Sequence, residues 1–139
     1  MRYLLDTNIV VFVLSNNYDN TDIDTRAILE DYSSLLFMSS VSLIELTQLF
    51  RIGKIKSKKY KSSTEMAKAI EEEFGIKILP FVKEHGITLT KLDIAENHND
   101  PFDHAIISHA ISEKLTLVSS DRQFEKYTSQ KLNFVFNKR

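Results

Sequence analysis

Cysteine is absent from all 139 residues, which excludes disulfides, thiolate metal sites and a cysteine nucleophile together. No apolar stretch approaches the ~20 residues that a membrane span requires. Hydrophobic residues make up 42% and charged residues 27% of the chain, an ordinary composition for a soluble domain. The first residues reach Asp6 before the apolar core of an export signal could form, so a cytoplasmic protein with no membrane partner is expected. Repeats, linkers and low-complexity tracts are also missing. Residues 1–139 are therefore expected to form one domain, long enough for one continuous core and too short for two.

The formal net charge is −1, but it is unevenly spread. Arg51, Lys54, Lys56, Lys58, Lys59 and Lys61 fall within eleven residues that hold no acid, and Glu71, Glu72 and Glu73 follow soon after. Six cations beside Tyr60 could track a phosphate backbone. Charge alone favours the plainer expectation of a solvated, mobile basic loop.

Short apolar runs alternate with helical patterns along the chain. Strands are expected at 2–5, 35–38, 76–81, 116–119 and 132–136. Helices are expected over 9–14, 25–32, 39–50, 62–75, 83–93 and 101–114, with a polar loop over 15–24. Ser62 and Glu65 have capping-box spacing, Gly75 suits a helix C-cap, and Pro101 fits the first turn of a helix, where its missing N–H costs nothing. Strands alternating with helices predict an α/β fold: a central parallel sheet of about five strands with helices on both faces.

Against that frame five acids stand out: Asp6, Glu45, Asp100, Asp103 and Asp121. They sit where apolar runs give way to helical patterns, and a parallel sheet gathers its strands' carboxyl ends at one edge. Each has a plain structural explanation. Asp6 and Asp121 can cap the helices after their strands, Glu45 can complete a Ser-x-x-Glu box with Ser42, and Asp100 with Asp103 matches an N-cap and an N3 acid. Capping does not explain why the acids recur at the same end of the strands, nor why Glu45 lies inside an apolar helix. Clustered carboxylates repel, so a cation is needed to offset them, and hard Mg²⁺ or Mn²⁺ suits oxygen ligands. Thr7, Asn8, Ser119 and Ser120 flank the acids, where they can orient a carboxylate or a water or serve as ordinary turn residues. For His104 a substrate contact is open, with surface or packing roles expected for it and for His98 and His109.

Four segments carry a family resemblance: Leu4-Leu5-Asp6-Thr7-Asn8 near the start, Ser42-Leu43-Ile44-Glu45-Leu46, His98-Asn99-Asp100-Pro101-Phe102-Asp103, and Val118-Ser119-Ser120-Asp121 with Phe124. In this order the chain resembles the PIN domain, and most of all the VapC-like toxin ribonucleases. One departure is His104, where members commonly carry arginine. The resemblance implies a single PIN-like domain and a Mg²⁺- or Mn²⁺-dependent endoribonuclease. Asp6 and Asp103 would be the foremost ligands, Asp121 and Asp100 next, and Glu45 would act through water. It also implies an RNA substrate, a cognate antitoxin that blocks the acids, often with a basic side chain, and a homodimer.

The residues supply the chemistry that such a reaction needs, because metal-activated water can attack a phosphodiester in line, with no histidine base and no 2'-hydroxyl, leaving a 5'-phosphate and a 3'-hydroxyl. Two other classes compete. Aspartyl-phosphate hydrolases place a second Asp two residues after the first, where this chain has Asn8. A non-catalytic nucleic-acid or protein-binding module of the same fold would show the same acids and no metal-dependent cleavage.

Overall fold

Runs such as Leu4-Leu5 and Leu117-Val118 leave no polar face, as expected of strands covered on both sides. The computed structural model describes residues 1–55 and 57–139. Its strands are β1 (Arg2–Leu5), β2 (Leu35–Ser39), β3 (Lys77–Leu79), β4 (Thr116–Ser119) and β5 (Asn133–Phe136). All neighbours pair in parallel, in the order β3-β2-β1-β4-β5. The chain winds outward from β1 through β2 to β3, then returns to the other side of β1 for β4 and β5. That reversal makes the gap between β1 and β4 the switch point of the sheet, where the loops leaving the carboxyl ends part and open a crevice.

Among the described residues six α-helices cover the sheet: α1 (Thr7–Leu14), α2 (Ile23–Glu30), α3 (Val41–Arg51), α4 (Ser63–Glu72), α5 (Lys83–Thr90) and α6 (Pro101–Glu113). Their ends follow local chemistry. Ser62 Oγ accepts the Glu65 N–H at 3.1 Å to start α4, and Gly75 follows that helix at φ +65°, a left-handed turn that glycine adopts without strain. Helix α6 starts with Pro101 at its first position behind Asp100. Two elements begin earlier than expected: α1 starts at Thr7 because Asp6 accepts its N–H, and α2 starts at Ile23 because Asp22 caps Thr25. A 3₁₀ segment over Arg122–Gln130, absent from the sequence expectation, links β4 to β5.

Alternation along β1 divides the core in two. Tyr3 and Leu5 point to one face, where they meet Ile9, Val10, Met38, Leu46, Met66 and Ile70. Leu4 points to the other, against Ile106, Ile107, Leu117, Phe124 and Tyr127. Each such buried side chain contributes about 1.5–3 kcal/mol, so the edge carrying the acids rests on packed layers from both sides. The basic segment is tied to this core through two apolar side chains, while its cations Arg51, Lys54, Lys58, Lys59 and Lys61 are exposed. Ile55 and Tyr60 are buried, and Lys59 pairs with Glu73. Lys56 lies outside the described residues.

A buried histidine pair joins α5 to α6. The rings of His85 and His109 lie 4.0 Å apart, with Phe81 edge-on to His109. His85 Nδ1 accepts the Val82 N–H at 2.9 Å, which leaves Nε2–H to donate to Glu113 at 2.8 Å. His109 Nδ1 meets Ser39 Oγ at 2.9 Å, and its Nε2 is buried without a partner among the described residues. Burial, followed by the neighbouring His85, lowers the His109 pKa from 6.5 to about 4. The unfolded chain therefore takes up this proton first, and the stability that neutral His109 confers above pH 6.5 is lost as pH falls toward 4. Chemical denaturation of the wild type and His109→Phe should show the wild type losing roughly 2 kcal/mol relative to the variant between pH 7.5 and 4.5. A difference that does not change with pH would remove His109 from the acid response.

Candidate metal centre

All five acids reach one cavity of about 320 Å³ at the switch point, together with Thr7, Asn8, Val11, Phe12, Leu49 and Arg139. They arrive by four separate routes. Asp6 follows β1, Asp121 follows β4, Asp100 and Asp103 open α6, and Glu45 projects from the second turn of α3. Three of them also cap, as their positions suggested: Asp6 accepts the N–H of Thr7, Asp100 that of Phe102, and Asp121 that of Gln123, at 2.8, 2.9 and 2.9 Å. Glu45 does not cap. Ser42 Oγ has no partner among the described residues, and Glu45 Oε1 instead accepts Thr7 Oγ1–H at 2.8 Å across the cavity.

Asp6 is the most constrained of the five. Its Oδ2 accepts Ser119 Oγ–H at 2.6 Å and the Asn8 amide at 3.2 Å, while its Oδ1 takes the Thr7 N–H. Ser119 in turn accepts the Asp121 N–H at 3.0 Å, coupling the ends of β1 and β4. On the other side, His98 Nε2–H donates to Asp103 Oδ2 at 3.0 Å. Its Nδ1 faces the Tyr127 hydroxyl at 2.6 Å, and that hydroxyl accepts the Ala95 N–H. His98 and Tyr127 are buried, so the carboxylate of Asp103 is held by a chain of bonds reaching into the core.

The electrostatics show strain in this arrangement. Burial above all, with the charge of Asp103 and Glu45 added, raises Asp6 from 3.8 to about 7 despite the Ser119 hydrogen bond. Burial followed by the charges of Asp100, Asp121 and Glu45 raises Asp103 to about 7 as well. Glu45 is also raised, mainly by burial. Two carboxyl groups only partly ionised at neutral pH, in a cavity of oxygen donors, mark a place short of positive charge.

The donor set fits a hard divalent cation in chemistry. Among the described residues, however, no three His, Asp or Glu side chains converge closely enough to form a closed shell as they stand. A hard cation that keeps several of its waters needs only one or two carboxylates from the protein rather than an all-protein cage. Thr7 and Asn8 line the cavity, whereas Ser120 stands behind it, its N–H on Asn8 Oδ1 at 3.3 Å and its Oγ accepting from Asn137. His104 turns away, with Nε2 donating to the His98 carbonyl at 2.8 Å. Sequence reasoning missed the bond from His98 to Asp103 and the presence of Arg139. The first had a faint signal in the histidine five residues before an acid; the second had none.

A family model described as PIN domain matches residues 3–129. No curated protein matched the sequence. Among solved structures, VapBC2 from Rickettsia felis bound to a promoter DNA fragment is similar at 23% identity and a TM-score of 0.68, with 99% of each chain covered. VapBC-1 from nontypeable Haemophilus influenzae is similar at 21% identity and a TM-score of 0.69, with 98% of each chain covered. VapBC-5 from Mycobacterium tuberculosis is similar at 18% identity and a TM-score of 0.61, covering 97% of this chain and 98% of that one. At these identities the likeness is one of fold.

Proposed function

The chain belongs to the PIN domain family, and on that premise we propose that it is a metal-dependent endoribonuclease, the toxin of a toxin–antitoxin pair. PIN domains are in general metal-dependent nucleases. The observation that carries the reading is the meeting of five acids from four separate segments at the switch point, two of them raised to about 7. Capping alone gives no reason for that convergence, and Glu45 does not cap at all.

Asp6 and Asp103 would hold the cation, with Asp100 and Asp121 beside them and Glu45 acting through water. The cation, Mg²⁺ or Mn²⁺, would lower the pKa of a bound water and offset charge on the phosphate. The protein's own part is to keep the carboxylates aimed. Thr7, Asn8 and Ser119 fix both oxygens of Asp6, His98 fixes one oxygen of Asp103, and Thr7 Oγ1 fixes Glu45. In-line attack by water breaks the P–O3' bond, leaving a 5'-phosphate and a 3'-hydroxyl. Nothing in that scheme uses the 2'-hydroxyl, so preference for RNA must come from binding contacts.

The reading includes an antitoxin. Beside the acids, and sharing Glu45 and Leu49 with them, lies an open cleft of about 650 Å³ lined by Leu43, Ile44, Gln48 and Phe102 among others. Ile44 is 59% exposed. The similar VapBC structures are toxin–antitoxin complexes, and an apolar segment bearing a basic side chain would cover this cleft and reach the acids. A homodimer and a cytoplasmic location belong to the same proposal; among the described residues no helix is long and apolar enough to cross a membrane.

The deciding experiment is incubation of the purified chain with single-stranded RNA and Mn²⁺ or Mg²⁺. Cleavage with 5'-phosphate ends, stopped by EDTA and restored by added metal, is the expected result. RNA bound but left intact under all of these conditions would favour the non-catalytic binding module.

A further inference from the structure

The segment that leaves β5 turns back across the carboxyl edge of the sheet and is fastened there. Asn137 is fully buried. Its Nδ2 donates to the Asn20 carbonyl and to Ser120 Oγ, both at 2.8 Å, and its Oδ1 accepts the Asp22 N–H at 2.8 Å. Its own N–H donates to the Ser119 carbonyl at 2.8 Å, and the Lys138 N–H donates to Asp22 Oδ2 at the same distance. Ser119 and Ser120 are the residues that carry the chain from β4 to Asp121. The fastening therefore brings the next residue, Arg139, to the acid cavity, where it is the sole cation in the described lining.

Arg139 does not neutralise the acids. Among the described residues no carboxylate oxygen comes within 4.0 Å of its guanidinium. The group lies instead over the ring of Phe12, its Cζ 5.2 Å from the centroid. A guanidinium laid on an aromatic face keeps its N–H edge free, and that planar fork matches two oxygens of a phosphate. An internal counter-ion would sit on Asp6 or Asp103; this one is held at the wall by α1.

We propose that Arg139 is a substrate-binding residue, which grips an RNA phosphate adjacent to the scissile one and holds the backbone against the acids. The assignment rests on the nuclease reading only for which phosphate is meant. A polyanion entering a cavity of carboxylates needs a local cation, and Arg139 is placed to supply it without blocking the centre.

The test compares the wild type with Arg139→Gln and Arg139→Lys, using Lys77→Gln at the amino end of β3 as a remote charge control. Binding of a fluorescein-labelled single-stranded oligoribonucleotide is read by anisotropy in EDTA across a salt series. KM and kcat are read with Mn²⁺. Arg139→Gln should lower the slope of log K against log salt by about 0.7, the loss of one single-strand phosphate contact. It should also raise KM about tenfold with kcat unchanged. Arg139→Lys should keep the slope and recover only part of KM, because a point charge replaces a fork. A slope and KM equal to wild type, or changed no more than by Lys77→Gln, would overturn the assignment. So would tighter binding or faster cleavage by Arg139→Gln, the mark of an internal plug. If the wild type binds but never cleaves, and Arg139→Gln still loses the slope, the contact stands and the nuclease reading fails. If the wild type cleaves and the slope does not move, the contact alone fails.

Discussion

Asp6→Asn is expected to abolish RNA cleavage and, at the same time, to raise the melting temperature of the metal-free protein at pH 8. Both effects come from one charge. The carboxyl of Asp6 is buried and raised from 3.8 to about 7. The folded chain therefore retains a proton that the unfolded chain gives up between those values. Its contribution is favourable in full below pH 4 and is lost as pH rises through 7. Above pH 7 the folded state carries the buried charge at a penalty of up to about 4 kcal/mol, taking 1.36 kcal/mol per pKa unit. The variant removes that penalty but places an amide N–H₂ where Asp6 Oδ2 now accepts from Ser119 and Asn8, and a mispaired polar group costs about 1–3 kcal/mol. The net gain should be about 1–3 kcal/mol, or about 3–12 °C in a chain of this size. The advantage over wild type should shrink toward pH 4. Cleavage should fall by at least about a hundredfold, the usual loss when one group that stabilises transition-state charge is removed. Melts from pH 4 to 8 and a cleavage assay on one preparation check both halves. Full activity in the variant would remove Asp6 from the centre, and a variant less stable than wild type at pH 8 would show that the carboxylate is a structural cap rather than a strained ligand.

How far the chain could be read before it was folded depended on how local each signal was. Asp100-Pro101-Phe102-Asp103 states its own geometry, because a proline at the first helical position and an acid before it fix a helix start within four residues. The direction of the strands sufficed to place Asp6 and Asp121 at one edge, although nothing in the sequence orders β3-β2-β1-β4-β5. Glu45 was legible by contradiction. An acid inside an apolar helix has no capping role, and its partner is Thr7, thirty-eight residues away. The bond from His98 to Asp103 is short in sequence, yet its purpose depends on Tyr127, which reaches the histidine from the 3₁₀ segment. That segment escaped notice because only Phe124 and Tyr127 mark its buried face, three residues apart, too few to stand out as a period. Arg139 was illegible for a different reason. Its position is set by Asn137, whose partners Asn20, Asp22, Ser119 and Ser120 come from two distant turns. Ser119 had two readings in the sequence, orienting a carboxylate or ordinary turn chemistry, and its bond to Asp6 supports the first.

Adding Mg²⁺ or Mn²⁺ should raise the melting temperature of the wild type and leave an Asp6→Asn, Asp103→Asn double variant unmoved. A ligand that binds only the folded state adds RT ln(1 + [L]/Kd), roughly 2.7 kcal/mol at a hundredfold excess over Kd. The effect should depend on pH in a way that capping acids would not produce. Carboxylates must be ionised to bind metal. Asp6 and Asp103, both raised to about 7, must each lose a proton when the ion enters below that pH. Apparent affinity should therefore rise about tenfold per pH unit for each proton displaced and level off above pH 8. In the metal-free protein these two carboxyls contribute in the opposite direction, costing stability as pH climbs from 4 to 7 and they become charged in the fold. The gap between metal-loaded and metal-free melting curves should accordingly widen from pH 6 to pH 8 in the wild type. Calorimetric titration of Mn²⁺ at the two pH values gives the affinities, and the heat of buffer protonation gives the number of protons released. An increment that survives in the double variant, or one that is the same at pH 6 and pH 8, would mean that the ion binds elsewhere and that the acids at the switch point serve the fold alone.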